Sequence, residues 1–491
     1  MNGHANINPA EATEHLKSIL NVGQAQGESD SVKLKNISNG NMDAAGDGTL
    51  LPTQPYQQID LCSNKESSHV TISATNVDVY SSPLEYGATS SQVLVEDMVD
   101  YGWEDKYYNG RLISIHLSGN YLAYVLKPAS NKPGYVRLLR THLDIRHLIK
   151  DYRNEVKDIS FAHTAAQVLL GSVDARGELL VHKIEDDGSS IKCNLILHIP
   201  RSDDWVASDH NRIIWCLYIP EDNDSSEEDF ASSLLVVTHN ERAEIWNVQT
   251  IVKNHGHVKL TIDDVDVGVQ VISDHKTAIS AATFSPDGTA LAIGSVDGGV
   301  KFFQVNTLEK DVSPRCLHQW TPHPGKSLSS LYFLDNHKNH RPDIQFWKFA
   351  VTGAENNTEI KVWSCETWTC LQTVTIYPNP NDSVMPCLKA EIDLSSKYLF
   401  LSDIKRKVLL VLYLEQDPGP SNILVSSVSE YRVPLPVLSL AVANVSFSKL
   451  HAAAGLKSSD DEGDCDQLDG LNDLDENQCK YIIKLYWIQT K

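Results

Sequence analysis

One stretch of the sequence, residues 274–305, constrains the fold more than any other. It reads DHKTAISAATFSPDGTALAIGSVDGGVKFFQV. Its Ser-Pro-Asp-Gly segment at residues 285–288 predicts a tight turn, because proline presets φ and glycine tolerates positive φ. A second turn at residues 297–299 separates two apolar runs, residues 291–295 and 300–305. We therefore predict strands that follow one another as a meander.

Three polar residues in this stretch, His275, Ser295 and Asp297, stand where WD repeats place a buried polar relay. A buried imidazole needs a hydrogen-bond partner on each ring nitrogen, and a hydroxyl and a carboxylate can supply them. WD repeats usually carry tryptophan where this chain has Phe303, so the relay lacks its indole donor. Histidine, serine and aspartate also form hydrolase triads, but we favour a structural relay and expect all three side chains to be buried.

Strand patterns of the same kind recur along the chain. We therefore predict an all-β fold, a WD-repeat β-propeller with a ring of about seven four-stranded blades. An early strand near Val70 or Val77 is expected to complete the last blade, since an open blade would leave an exposed edge. Residues 142–153 lack the strand pattern and are expected to form a short helix or an exposed connection. The further sets of strands fall in residues 112–139, 159–184, 213–248, 328–376, 387–414 and 437–489.

The chain divides into two parts by composition. Residues 1–68 are polar and poor in apolar side chains, which predicts a disordered tail, and residues 69–491 form the propeller. Within the tail, residues 9–20 begin with proline and place Leu16, Ile19 and Leu20 on one face at helical spacing. This segment is interpreted either as a short docking helix or as part of a frayed tail.

The formal net charge of −22 is concentrated in a few segments. Residues 221–229 hold six acidic residues and residues 458–477 hold nine, without lysine or arginine, and both are interpreted as loop insertions. The tail adds eight acidic residues against four lysines. The propeller body is therefore near neutral, and direct binding of nucleic acid by counterion release is not expected.

The same acidic insertions contain four serines that precede acidic residues. Ser225 and Ser226 stand before one acidic run, and Ser458 and Ser459 stand before the other. Acid-directed kinases favour such serines, and phosphorylation would add about −1.5 to −2 charges at each site. The alternative is that both insertions are solvated spacers.

Other classes of protein are disfavoured by the sequence. No apolar run approaches the roughly 18 residues of a membrane span. The nine cysteines are scattered and contain no CxxC pair, which indicates reduced thiols in the cytosol or nucleus. Cys365 and Cys370 lack a matching pair of histidines, so we expect no metal site, and nothing in the sequence indicates a cofactor.

Six segments carry a resemblance to a known family, the enhancer of mRNA decapping scaffold, also called Hedls. Residues 12–20 (ATEHLKSIL) are similar to the N-terminus of that family, which favours the docking interpretation of the tail helix. The six segments are residues 101–108 (YGWEDKYY), 212–216 (RIIWC), 242–246 (RAEIW), 315–323 (RCLHQWTPH), 367–372 (TWTCLQ) and 401–408 (LSDIKRKV).

The resemblance implies a non-catalytic scaffold of cytoplasmic processing bodies that promotes removal of the mRNA 5′ cap. Its implied partners are the decapping enzyme and its activator, whose effective concentration near each other the scaffold would raise. Family members continue into a Ser-rich linker and a C-terminal helical region, so the chain is expected to be a fragment or short form. Self-association would need that missing region. The alternative function is a WD-repeat adaptor, such as the substrate receptor of a ubiquitin ligase.

Overall fold

The fold is built almost entirely from β-strands. The computed structural model describes residues 52–61, 67–83, 89–99, 101–127, 133–219, 230–256, 258–308, 312–340, 344–417, 422–449 and 479–490. Within these ranges the strands form separate hydrogen-bonded sheets, and the α-helix α1 (Val248–His255) is only eight residues long. No helix of this part of the chain is long and apolar enough to cross a membrane.

Residues 274–305 and the segment that follows them form one four-stranded sheet, called sheet 4 here. Both predicted turns are present, with Gly288 at φ 70° and Gly298 at φ 87°, conformations that favour glycine. The two predicted strands after the first turn are confirmed, and a fourth strand completes the sheet. Its strands are β17 (Ile279–Phe284), β18 (Ala290–Ser295), β19 (Val300–Gln304) and β20 (Cys316–Trp320).

Three sheets precede sheet 4 and share its antiparallel meander. Sheet 1 contains β4 (Ile113–Ile115), β5 (Tyr121–Leu126), β6 (Tyr135–Arg140) and β7 (Arg146–Ile149). Sheet 2 contains β8 (Val156–Phe161), β9 (Val168–Asp174), β10 (Leu179–Asp186) and β11 (Ile191–Ile199), with the two-residue strand β15 (Val258–Lys259) beside β11. Sheet 3 contains β12 (Arg212–Trp215), β13 (Leu234–His239), β14 (Arg242–Asn247) and β16 (Val269–Ile272).

Three sheets follow sheet 4. Sheet 5 contains β21 (Leu328–Phe333), β22 (Phe349–Ala354), β23 (Glu359–Ser364) and β24 (Thr369–Tyr377). Sheet 6 contains β25 (Leu388–Ile392), β26 (Tyr398–Asp403), β27 (Val408–Gln416) and β28 (Ile423–Arg432). Sheet 7 contains β29 (Val437–Lys449) and β30 (Cys479–Gln489).

The first strands of the sheets contact one another in chain order. Such contacts join β4 to β8, β8 to β12, β12 to β17, and β17 to β21. The Tyr332 hydroxyl of β21 donates to the Ala390 carbonyl of β25 at 3.0 Å. Strand β29 contacts both β25 and β4, and the Leu112 backbone N–H donates to the Ser439 hydroxyl at 3.1 Å. The arrangement is an all-β propeller, as predicted.

Two local predictions differ from the structure between the strands. Residues 142–153 contain β7 rather than a helix, because this short segment pairs with β6 and completes sheet 1. A helix is found instead between β14 and β16. Asn247 caps α1 by accepting a hydrogen bond from the Thr250 backbone N–H at 2.8 Å, and Gly256 ends it at φ 74°.

The strands near Val70 and Val77 do not complete sheet 7, so that prediction is wrong. Strand β2 (Ser67–Thr71) pairs with β28, and β3 (Ala74–Tyr80) pairs with β24. Val77 and Val79 are buried there against sheets 5 and 6. Since β29 already contacts β4, the ring of contacts closes without an N-terminal strand.

A further strand lies inside the predicted tail. Strand β1 (Gln54–Asp60) runs parallel to β3, and Ile59 is buried in the core shared with sheets 5 and 6. Strands therefore begin before the predicted boundary at residue 69. The remaining prediction for the tail concerns residues 1–51, which lie outside the described residues.

One buried glutamine joins the N-terminal strands to both sheets. The Gln372 amide donates to the Ala74 carbonyl at 2.9 Å and to the Val425 carbonyl at 3.1 Å. Its oxygen accepts from the Val425 backbone N–H at 2.7 Å. A buried amide with its hydrogen bonds satisfied fixes register as well as contributing stability. Gln372 therefore pins β3 to the seam between sheets 5 and 6.

Candidate functional site

The predicted relay of sheet 4 is assembled, although one member lies at the surface. The His275 Nδ1 atom is 3.3 Å from the Ser295 hydroxyl, which donates to the Asp297 carboxylate at 2.6 Å. His275 and Ser295 are buried. Asp297 is exposed, so the expectation that all three side chains are buried is wrong for Asp297, which lies in the turn between β18 and β19. The Phe303 ring lies edge-on to His275 in place of an indole donor.

The geometry of this relay does not present a nucleophile. The Ser295 hydroxyl donates a hydrogen bond to Asp297, and Ser295 as a whole residue is only 2% exposed. Burial lowers the pKa of His275, and its Nε2 atom is buried without a partner in the described part of the chain. A hydrolase needs an exposed hydroxyl beside a base that can take its proton. Ser295 is not placed for that role.

A more complete relay, which was not predicted from the sequence, is found in sheet 5. The Trp363 indole N–H donates to the Thr352 hydroxyl at 2.8 Å, and that hydroxyl is 2.7 Å from His323 Nε2. His323 Nδ1 is 2.7 Å from a Glu359 carboxylate oxygen. The four side chains thus form one continuous chain of hydrogen bonds. The relay was not recognised in the sequence because Glu359 has the role that aspartate usually has in WD repeats.

The charges at the end of this relay are balanced. Burial alone would raise the pKa of Glu359, but hydrogen bonds from Lys326 and His323 outweigh burial and hold that pKa at about 2. Burial lowers the pKa of His323 despite its bond to Glu359. A neutral His323 can donate from Nδ1 to the carboxylate and accept at Nε2 from Thr352. The relay therefore forms with a neutral His323 that carries a proton on only one ring nitrogen.

A charged cluster, called the channel cluster here, lies among the first strands of the sheets. Asp158 is buried and accepts backbone hydrogen bonds from Arg111 at 2.8 Å and Ile213 at 2.9 Å. The Arg111 guanidinium lies 3.5 Å from the same carboxylate and donates to the Ile213 carbonyl at 2.7 Å. Arg111 and Asp158 therefore form an ion pair, and their hydrogen bonds to Ile213 join this pair, from sheets 1 and 2, to sheet 3.

Three further members of the channel cluster are Arg212, Lys389 and Glu391. The Lys389 ammonium donates to the carbonyls of Tyr108, at 2.6 Å, and Gly110. Burial, with Arg212 nearby, lowers the pKa of Lys389 to about 7. Burial also raises the pKa of Glu391, against the effect of the surrounding cations. The members of this cluster come from four sheets, and no spacing in the sequence indicated that they form one group.

An aromatic cluster fills the outer part of the seam between sheets 4 and 5. The His318 ring stacks on Trp368, with centroids 4.3 Å apart, and Trp320 contacts both Trp368 and Trp363. Trp368 has φ 55°, a conformation that costs a residue with a Cβ about 1–2 kcal/mol. Three of these residues, His318, Trp320 and Trp368, come from two of the segments that carry the family resemblance, 315–323 and 367–372. The resemblance at these segments therefore coincides with packing between sheets.

The remaining predicted site residues lie outside the described residues. They are the tail-helix residues Leu16, Ile19 and Leu20 and the serines Ser225, Ser226, Ser458 and Ser459. In the ranges that the structure does describe, no group of three or more His, Cys, Asp or Glu side chains is arranged to hold a metal ion.

The chain matches one family model, described as the WD40 region of Ge1, enhancer of mRNA-decapping protein, over residues 89–419. It is 37% identical to enhancer of mRNA-decapping protein 4 of Danio rerio, over 98% of this chain and 36% of that protein. It is 34% identical to the Homo sapiens protein of that name, over 99% of this chain and 36% of that protein. The chain thus spans about a third of the length of these relatives.

More distant matches were also found. The Drosophila melanogaster homolog of enhancer of mRNA-decapping protein 4 is 27% identical, over 91% of this chain and 34% of that protein. Among solved structures, the WD40 domain of Toxoplasma gondii coronin matches with a TM-score of 0.47 and 13% identity, over 70% of this chain and 75% of that chain.

The family model spans sheets 1 to 5 and most of sheet 6, with the segment that precedes them. That span includes the relays, the channel cluster and the aromatic cluster. It also includes all six segments on which the family resemblance was based. The chain belongs to the family of the Ge1 WD40 region, the enhancer of mRNA-decapping protein.

Proposed function

We propose that this chain is a non-catalytic scaffold domain that promotes mRNA 5′ decapping through protein–protein interactions of its propeller. The observation that carries the proposal is the family match over residues 89–419, together with relatives named enhancers of decapping. The enclosed Ser295 hydroxyl supports a role without catalysis, since it lacks the exposure of a nucleophile.

The proposed mechanism is assembly. A scaffold that holds an enzyme and its activator raises their effective concentration, which favours their encounter without any chemistry in the scaffold. The proposed partners are the decapping activator and the decapping enzyme, in cytoplasmic processing bodies. Because this chain spans about a third of its relatives, we assign it a share of those contacts and leave self-association to other regions of such proteins.

The proposed scaffold is a ring of seven blades. Sheets 1 to 6 each contain a four-stranded meander, and sheet 7 stands between sheet 6 and sheet 1. Support comes from β29, which contacts β25 on one side and β4 on the other. A closed ring leaves the outer surfaces of the blades available for several partners at once.

Two accessory elements belong to the proposal. Residues 9–20 would act as a docking helix through Leu16, Ile19 and Leu20, ordering against a partner. The serines Ser225, Ser226, Ser458 and Ser459 would be phosphorylated, and this would make two acidic segments more negative. Phosphopeptide mapping that finds all four serines unmodified in cells would remove the second element.

Affinity purification of the tagged 491-residue chain after RNase treatment tests the function. We expect the decapping activator to remain bound when RNA is destroyed. A chain that lacks residues 1–51 is the matched control for the docking helix, because the described strands begin after that segment. Loss of every decapping protein from the intact chain would contradict the scaffold role of the propeller.

A further inference from the structure

Arg212 occupies an unusual electrostatic position in the channel cluster. It begins β12, and its charge influences the pKa of Tyr107, Tyr332, Lys389 and Glu391. Yet no carboxylate of the described residues lies within ion-pair distance of its guanidinium, which is half-buried. A partly desolvated guanidinium without a carboxylate partner favours the approach of an anion.

The other cations of the cluster are already engaged in different ways. Arg111 is neutralised by Asp158, whose carboxyl side chain is only 1% exposed. Lys389 is solvated by two backbone carbonyls, which carry no net charge. Glu391 is the remaining carboxylate, and burial raises its pKa. The cluster therefore has one more cation than carboxylate, and protonation of Glu391 would increase the excess.

The cluster is enclosed but reachable from solvent. A quarter of the Arg111 side chain is exposed, and Arg212, Tyr107 and Glu391 are half-buried. The hydroxyl of Tyr107 has no hydrogen-bond partner in the part of the chain that the structure describes. Charge–charge interactions are stronger in such a low-dielectric recess than on an open surface.

We propose that the channel cluster binds an oxyanion, a phosphate or carboxylate group, on the guanidinium of Arg212. The planar guanidinium can donate two parallel hydrogen bonds to such a group. The proposal concerns the site itself and does not depend on the role in decapping. The group can belong to a free anion or to an acidic or phosphorylated side chain of a protein partner.

Binding of the anion is coupled to protons. An anion near Lys389 favours its charged form, and the same anion favours the neutral form of Glu391. Both groups therefore take up protons when the anion binds. Binding of an anion that does not itself titrate must weaken as the pH rises through the pKa of Lys389, which is about 7.

Calorimetric titration of the intact chain with sulfate in chloride buffer tests the proposal. We expect saturable binding that weakens from about pH 6 to about pH 8, with proton uptake detected in buffers of different ionisation enthalpy. Arg212→Gln should weaken binding about 10- to 100-fold, the range expected for loss of a charged hydrogen-bond donor. Glu391→Gln should strengthen binding.

The controls separate this site from general effects. Arg146 is exposed and already paired with Asp144 at 2.9 Å, so Arg146→Gln should leave sulfate binding unchanged. Thermal melts establish that each variant is folded. Equal sulfate binding by the wild-type chain and the Arg212→Gln variant, or no binding by either, would overturn the proposal. In that case a water-bridged pair of Arg212 and Glu391 would account for the cluster.

A second pair of probes identifies the source of the anion. Inorganic phosphate represents a free ion, and N-acetyl-phosphoserine methylamide represents a modified side chain. Tighter binding of the phosphoserine derivative, lost in Arg212→Gln, supports a protein side chain as the occupant. Binding of inorganic phosphate alone supports a free anion. Failure of both probes with the wild-type chain contradicts the site, whatever the outcome of the decapping experiment.

Discussion

The relay of sheet 5 predicts that one hydroxyl group contributes measurably to the stability of the propeller. Thr352 is completely buried, and its hydroxyl stands between the Trp363 indole N–H at 2.8 Å and His323 Nε2 at 2.7 Å. Thr352→Val replaces the hydroxyl with a methyl group of similar size, so no cavity forms. The Trp363 indole N–H and the His323 Nε2 atom then remain buried without a hydrogen-bond partner, while His323 Nδ1 keeps its contact with Glu359.

The expected magnitude follows from these two orphaned groups. Leaving one buried donor or acceptor unsatisfied costs about 1–3 kcal/mol, so the two groups together should lower the free energy of unfolding of Thr352→Val by about 2–6 kcal/mol. Equilibrium unfolding in urea, monitored by tryptophan fluorescence, measures the difference between the variant and the wild-type chain. An unchanged denaturant slope would show that the same unfolding transition is being compared.

The chain offers a matched control with the same substitution. Thr307 is also buried, at 2% exposure, but its hydroxyl has no hydrogen-bond partner within the described ranges. Thr307→Val removes a buried polar group that no other group depends on, so stability should be unchanged or raised by about 1 kcal/mol. Equal losses at Thr352 and Thr307 would refute the argument, because the loss would then reflect the substitution and not the relay.

Three further predictions rest on other buried groups. Burial raises the pKa of Asp335 to about 7, so the stability contributed by its protonated carboxyl group is lost as the pH rises from about 4 to 7. The free energy of unfolding of Asp335→Asn should therefore rise by about 2 kcal/mol relative to that of the wild-type chain between about pH 5 and pH 8. Urea unfolding at each pH measures this difference. Gln372→Leu should speed hydrogen exchange in residues 74–80, and unchanged exchange would show that Gln372 does not hold β3. His275→Ala should lower the melting temperature while leaving partner binding at lower temperature intact; a loss of binding in the folded variant would indicate a direct functional role.

The sequence was sufficient for the parts of the fold that depend on local chemistry. The turn at residues 285–288 and the strands around it follow from proline, glycine and alternating apolar residues within one short stretch. The pairing of β3 with β24 joins residues about 300 positions apart, and turn chemistry carries no information about it. Gln372 in particular has the appearance of an ordinary strand residue until Ala74 and Val425 are brought to its amide.

The same distinction applies to the candidate sites. His275, Ser295 and Asp297 could be grouped by spacing because a single repeat contains all three. The sheet 5 relay was missed because Glu359 departs from the usual residue type. The channel cluster could not be found by spacing at all. Arg212 and Lys389 lie about 180 residues apart on β12 and β25, and no local sequence pattern relates the first strands of different sheets.

Direct binding between two purified proteins tests the central claim, that this propeller is a protein-docking domain of a decapping enhancer. The measurement is a calorimetric titration of the 491-residue chain with the purified decapping activator, in the absence of RNA. The account predicts saturable binding that survives His275→Ala at a temperature where that variant is folded. Specific protein interfaces usually have dissociation constants well below about 100 μM. Absence of binding at concentrations up to about 100 μM would therefore contradict the claim that this propeller docks the activator.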